Sequence, residues 1–407
     1  MKISEIAEKD SIRYTKRMKT LKFPNGFLWG SATSAYQVEG GIDNSDWSKD
    51  FPAGKACDHY NLYEKDFDFM ESLDQNSYRF SIEWSRIEPE PGKFDEKELE
   101  HYWQVLHSLK MRGIKTMVTL HHFTSPLWLA KIGDWTNPKV VSYFSRFAER
   151  VFDEYFDLVD FWVTINEPLV YASISYFQGR WPPRQESLIS LLKVIKNQIS
   201  VHKKIYNIFH RSKRLVRVGI VKNNNYFQPF GPKSPLDIIS TIIYRYFWSH
   251  FFLNRIKNHL DFIGLNYYSR EMVRMLFLRK VKGETKLSDV GWQVYPEGIY
   301  HVLKDLKKYH LPIYITENGL ADRKDRYRKE FIRDHLSWIY KAIQAGVDVR
   351  GYFHWSLMDN FEWDSGFEPR FGLVEIDYKT LERKPRPSAF YYSEICKANQ
   401  LTINSKF

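Results

Sequence analysis

Cysteine is almost absent: Cys57 and Cys396 are the only two in 407 residues. Two thiols in so long a chain make no disulfide framework, and no Cys/His spacing suggests zinc. Long apolar runs are missing too. No stretch reaches the ~18 residues a membrane span needs. The nearest, Ile238 to Leu253, is interrupted by Arg245 and His250 and reads as a buried amphipathic helix rich in aromatics. Met1 to Lys19 is charged and lacks the apolar core of a secretory leader. There is no G-x-G-x-x-G turn, no phosphate loop, and no zinc-finger or RNP motif. These absences predict a cytoplasmic chain with no metal or cofactor and no nucleic-acid or membrane partner. They leave the oligomeric state open.

What is present points to a large packed core. The hydrophobic fraction is 43%, so disorder is excluded. Aromatics make up 17%, enough to fill a core and to line a site for flat or amphipathic ligands. The net charge of +11 raises the question of anionic partners, but its clusters are short. Arg211-Ser212-Lys213-Arg214 and Arg323-Lys324-Asp325-Arg326 read as solvated surface.

Eight short apolar runs recur along the chain. They are Phe27 to Trp29, Ser77 to Ile82, Thr116 to Leu120, Phe161 to Ile165, Val216 to Val221, Phe262 to Leu265, Ile313 to Thr316 and Val349 to Trp355. Such runs suit parallel strands buried on both faces. Helical stretches fall between them. Tyr60, Tyr63, Phe67 and Met70 mark one apolar stripe. Asp95 and Glu98 form a capping-box signature ahead of the stripe Leu99, Trp103, Leu106 and Leu109, and Gly113 stops that helix. Asn137-Pro138 opens another, with Val141, Phe144, Phe147 and Val151 as its apolar face. Eight strands alternating with helices predict an α/β fold with a single (β/α)8 TIM barrel over residues 21–407, preceded by an extension over 1–20.

In such a barrel the chemistry sits at the C-terminal ends of the strands. Those ends carry Gln37 and Glu39, Arg79 and Glu83, His121-His122, Asn166-Glu167-Pro168, Asn223-Asn224-Asn225, Asn266-Tyr267-Tyr268, Glu317-Asn318-Gly319, and Trp355 with Asp359 to Trp363. Glu167 and Glu317 come from the fourth and seventh strands, so they face each other obliquely across the mouth. Two carboxylates flanking a substrate are what glycoside hydrolysis requires, and spacing alone does not say which does what. The competing reading for either glutamate is a lone acid in a surface loop. Both, however, follow β-branched residues and neighbour Asn. His121 and His122 are adjacent on a strand and point to opposite faces, so they cannot hold one metal ion together. A hydrogen bond from one to a hydroxyl and a satisfied core position for the other fit better.

With these residues in view, the sequence resembles glycoside hydrolase family 1, the retaining β-glucosidases and β-galactosidases. Thr164-Ile165-Asn166-Glu167-Pro168 is similar to that family's acid/base motif, and Ile315-Thr316-Glu317-Asn318-Gly319 to its nucleophile motif. Phe23 to Gly30 and Gln37-Val38-Glu39-Gly40 resemble its N-terminal signature. The likeness runs from about Lys22 to about Ile395. It implies Glu167 as general acid and then base, with a raised pKa, and Glu317 as an ionised nucleophile about 5–5.5 Å away. It implies Arg79, Tyr268 and Asn266 as supports of the nucleophile, and Asn166 as a contact to the sugar 2-hydroxyl. Gln37, His122, Glu362 and Trp363 would bind the sugar hydroxyls, with Tyr268 and Phe371 beside them. Trp355 would floor the ring and Trp292 line the leaving-group side. Core packing is the competing reading for each Trp, most strongly for Trp84, Trp103 and Trp128.

There are departures. Phe123 stands where the family often has Trp after the sugar-binding His. The stretches from Glu167 to Asp261 and after Gly41 are short for the family, so acceptor preference does not carry over. The run Trp363 to Phe367 followed by Arg370-Phe371-Gly372-Leu373 looks closer to archaeal members. Glu362 favours an unphosphorylated sugar, since relatives acting on phosphosugars carry a small residue there. The expected function is a retaining exo-β-glycosidase acting first on β-glucosides, with β-galactosides and β-fucosides as further candidates, small or in short oligosaccharides. A transglycosidase using the same glutamates and a non-catalytic sugar-binding barrel are the alternatives.

Overall fold

A computed structural model describes residues 18–212, 214–275, 277–279 and 286–404; for Met18 and Arg279 it describes the backbone only. All but the last three residues of the expected extension therefore lie outside the described residues. Those three belong to a strand, Met18–Lys22, that pairs antiparallel with Gln400–Asn404 and so joins the first and last described segments.

The eight apolar runs become eight parallel strands: β1 (Leu28–Ala32), β2 (Ser77–Ser81), β3 (Lys115–Thr119), β4 (Phe161–Asn166), β5 (Val218–Asn223), β6 (Phe262–Asn266), β7 (Ile313–Asn318) and β8 (Val349–Trp355). They close into a barrel, each beside its sequence neighbour, with β8 against β1. Two layers of core follow from the period-two alternation. Met117, Phe161, Val163, Val221, Phe262, Tyr314 and Phe353 fill the barrel interior. The alternate residues, such as Trp162, Ile220, Ile263 and Ile315, pack outward against the helices.

The helices around the barrel include α1 (His59–Ser72), α2 (Glu96–Met111), α3 (Val140–Tyr155), α4 (Pro168–Tyr176) and α5 (Pro235–Arg245). Asp95 caps α2 by accepting from the N–H groups of Lys97 and Glu98. The reciprocal half of the expected box is missing, because the Tyr60 hydroxyl donates to the Glu98 carboxylate at 3.2 Å. Trp103 does not join the apolar face; it stacks on His107 at the surface, and Tyr102 is buried in its stead. Helix α3 starts two residues later than expected, with the Asn137 side chain accepting from the Lys139 N–H just before it.

The largest correction concerns Ile238 to Leu253. Its first part, α5, is not buried by its apolar side. Asp237, Ser240 and Thr241 face inward and the isoleucines face out. Among the described residues no helix is long and apolar enough to cross a membrane.

Candidate active site

Two irregularities aim the carboxylates. Between β4 and β5 the register runs Val163 opposite Gly219, then Asn166 opposite Val221, so β4 carries an extra residue. Between β7 and β6 it runs Ile315 opposite Leu265, then Glu317 opposite Asn266. Such bulges re-aim side chains at a strand end. Here they turn Asn166 and Glu317 into the barrel mouth after outward-facing Ile165 and Ile315. Glu167 itself adopts a left-handed conformation (φ 45°), and Pro168 then starts α4. Its N–H donates to the Val221 carbonyl, which fixes the turn. Residues held in this region cost free energy and cluster at functional sites.

The hydrogen bonds form one connected chain. Arg79, fully buried, donates to a Glu317 carboxylate oxygen and, through its other terminal nitrogen, to Asn166 Oδ1 at 2.7 Å. The Tyr268 hydroxyl donates to the second Glu317 oxygen at 2.7 Å. Asn266 Nδ2 donates to Glu167 Oε1 at 2.7 Å and more weakly to Asn166 Oδ1 at 3.3 Å. The Thr316 hydroxyl in turn donates to Asn266 Oδ1 at 2.7 Å.

Asn266 therefore does not support Glu317 as expected; its amide belongs to Glu167. Glu317 stands opposite Asn266 in the register, yet its two carboxylate oxygens are taken by Arg79 and Tyr268 while the Asn266 amide turns to Glu167.

The two carboxyl groups have different environments. Glu167 is buried, and desolvation together with the nearby Glu317 charge pushes its pKa up to about 7, against the Asn266 and Asn223 donors that lower it. Glu317 instead sits between a guanidinium and a phenol donor.

From the sequence Asn223 has no role beyond its place in the Asn run that ends the fifth strand. Its Nδ2 donates to the same Glu167 oxygen at 3.1 Å. The available signal was its place at the C-terminal end of β5, next to the strand that carries Glu167.

The remaining expected residues converge on the same mouth. Asn166 Nδ2 donates to His122 Nε2 at 3.2 Å, and the His122 ring lies nearly parallel to those of Trp355 and Trp363. Burial and the Arg79 charge hold His122 well below the usual imidazole range, so it is neutral. Its Nδ1 is buried without a protein partner. Gln37 Nε2 donates to Glu362 Oε2 at 3.2 Å and to the Phe361 carbonyl at 2.9 Å. Glu362 is pushed up to about 8, by burial first and then by Glu317 and Glu167. Trp292 is partly exposed and packs against Tyr268 and Phe371 at the rim. Phe123 fills its place against Trp363 and Trp181.

His121 faces the other way. Its ring lies among Trp135, Phe144 and Tyr171 and accepts from the Trp135 indole, as a core histidine. Trp84 is core, and Trp128 packs edge-on against it. Glu39 and Glu83, also at strand ends, are tied to structural partners. Glu39 binds Arg86 and Tyr102, and Glu83 binds Ser85 and Thr124.

A buried acid poised near neutrality and a second carboxylate paired to a cation, joined through two asparagines and an arginine, can transfer a proton and attack a carbon on one substrate. Known proteins share this framework. The description "Glycosyl hydrolase family 1" matches residues 19–256 and 253–401. Beta-glucosidase A of Thermotoga maritima is 33% identical over 446 aligned positions, covering 94% of this chain and all of that protein. A β-galactosidase of Pyrococcus woesei is 32% identical, covering 93% and 98%. Among solved structures, the β-glycosidase from Pyrococcus horikoshii is 40% identical with a TM-score of 0.90, covering 94% of this chain and 96% of that one. The Thermotoga maritima β-glucosidase in complex with glucoimidazole is 32% identical with a TM-score of 0.86, covering 93% and 99%. The chain belongs to glycosyl hydrolase family 1 and is a β-glucosidase-like glycoside hydrolase.

Proposed function

We propose that the chain is a retaining, exo-acting β-glycosidase for unphosphorylated sugars, with β-glucosides its first substrates. The observation that carries this reading is the contrast between the two carboxyl groups. In the first step Glu317 attacks the anomeric carbon, and the bond to the leaving oxygen breaks as Glu167 gives that oxygen its proton. Glu167 is still protonated near neutral pH because of burial. Arg79 supplies the countercharge and Tyr268 a donor for Glu317. In the second step water attacks the glycosyl ester, Glu167 takes the water proton, and Glu317 leaves as carboxylate. Two inversions give net retention.

Asn166, held by Arg79 and His122, is suited to the 2-hydroxyl. Gln37, Glu362 and Trp363 make a polar and aromatic wall for the outer hydroxyls. Glu362 fills the position where relatives acting on phosphosugars carry a small residue, which supports an unphosphorylated glycone. A glucoimidazole-bound relative and curated β-glucosidase relatives favour glucose. A β-galactosidase relative keeps galactose in the test panel.

The test is hydrolysis of aryl β-glucoside, β-galactoside and β-fucoside with the released anomer followed by NMR, beside Glu317→Gly. The β-anomer should appear first from the wild type. Glu317→Gly should be inactive until azide is added. Release of the α-anomer, or no cleavage by folded wild type, would overturn the reading.

A further inference from the structure

Helix α5 is built inside out. Its inward residues are polar: the Asp237 carboxylate accepts the N–H groups of Gly231 at 2.9 Å and Met275 at 3.1 Å, and the Thr241 hydroxyl donates to the Asp237 carbonyl. Its outward residues are aliphatic. Leu236, Ile239 and Ile242 are each more than half exposed, and Ile243 nearly so. A surface helix normally presents the reverse pattern. The following turn continues the stripe with exposed Tyr246 and Phe247.

The inward polar bonds also fix what lies beside the helix. Through Gly231 they hold the loop carrying exposed Phe230. Through Met275 they hold a β-turn whose Met275, Phe277 and Leu278 are about half exposed or more. Helix, loop and turn thus form one continuous apolar face, larger in character than the scattered exposed side chains of an ordinary surface.

The charge around this face is mainly positive, with Arg245 paired to Asp305. Residues 231–257 carry Lys233, Arg245, Arg255 and Lys257 against a single acid, Asp237, which is buried and used internally. The strand Arg270–Arg274 carries Arg270 and Arg274 against Glu271. Arg274 is exposed over the Phe230 ring, and Lys233 is exposed at the start of the helix. A second copy of the chain would bring the same cationic rim to both sides of a two-fold interface, since that symmetry uses one patch twice. An aliphatic stripe with Tyr and Phe at its end, flanked by Lys and Arg, is the chemistry of a helix lying in an anionic bilayer surface.

We propose that α5 and the adjoining turn dock the enzyme onto anionic lipid membranes. The strands Tyr226–Pro229 and Arg270–Arg274 that carry this face follow β5 and β6 directly, so docking would place the membrane beside the rim that holds the active site.

The full chain is sedimented with vesicles of phosphatidylcholine alone and of equal parts phosphatidylcholine and phosphatidylglycerol, at low and high salt. The proposal predicts co-sedimentation with the anionic vesicles, weakened by salt. It also predicts that Ile239→Asp with Ile242→Asp lowers vesicle affinity about tenfold or more. That double variant should keep the wild-type melting temperature and the wild-type rate on a soluble aryl glycoside. Wild type that stays in solution with both vesicles overturns the proposal, as does equal binding to neutral vesicles. A wild-type dimer by light scattering that the double variant makes monomeric would assign the face to a second copy instead, and would also overturn it.

Discussion

Glu167 and Glu362 carry the pH dependence of the molecule at the scale of single residues. Glu167 must be protonated for the first step, and burial holds its pKa at about 7. The account therefore predicts kcat/KM that falls as pH rises through about 7. Asn223 and Asn266 both donate to the same Glu167 oxygen, leaving the other to carry the proton. Both donors lower that pKa, so Asn223→Ala should move the alkaline limb upward. It should also slow substrates with poor leaving groups on the order of tenfold, about the worth of one hydrogen bond, and activated aryl glycosides less. An unchanged pH profile would mean that Asn223 does not act through Glu167. Glu362 keeps some accessible surface yet is held at about 8. A carboxyl whose folded pKa is raised contributes stability that is full below its unfolded pKa, near 4.5, and is lost as pH rises through about 8. Glu362→Gln should therefore raise the melting temperature at pH 9 relative to wild type and change it little at pH 4. Scanning calorimetry at the two pH values checks the sign.

At the scale of elements, the strand ends were legible because each apolar run stops at a polar residue that the barrel topology sends to one rim. Bulges were not. Nothing in Thr164-Ile165-Asn166 or Ile315-Thr316-Glu317 announces an extra residue, since a bulge is a relation between two strands. Asn266 stands opposite Glu317 in the register, and only its side-chain direction gives its amide to Glu167. The inside-out helix was misread for a related reason. Periodicity reports that α5 has an apolar side, and only the surrounding chain decides which side faces in. Gly319 shows what the β7–β8 contact demands. A Cβ there would lie 1.8 Å from the Trp355 carbonyl oxygen, and that atom is backbone and cannot yield cheaply. Gly319→Ala should destabilise the fold by about 1–3 kcal/mol or more. It should also depress activity, because Glu317 lies two residues before it and Trp355 ends the neighbouring strand. Thermal denaturation with parallel rate measurements would reveal it, and a wild-type melting temperature would show that the strands can separate freely there.

At the scale of the whole molecule, a strand pair ties the first and last described segments together. Met18–Lys22 pairs with Gln400–Asn404, burying Leu21, Leu401 and Ile403. Removing residues 400–407 would expose Leu21 and strip one strand of its partner. The account predicts a lower melting temperature with the site geometry, and hence KM, nearly intact at low temperature. Wild-type stability in the truncated chain would show that the clasp is dispensable. The central claim is that Glu317 forms the covalent intermediate within this closed barrel. The most direct measurement is to incubate the enzyme with a 2-deoxy-2-fluoro-β-glucosyl fluoride, whose second step is slow, and map the product by mass spectrometry. The account predicts one added fluoroglucosyl group on the peptide containing Glu317, formed as activity is lost. An adduct on any other residue, or an active enzyme that never forms one, would contradict it.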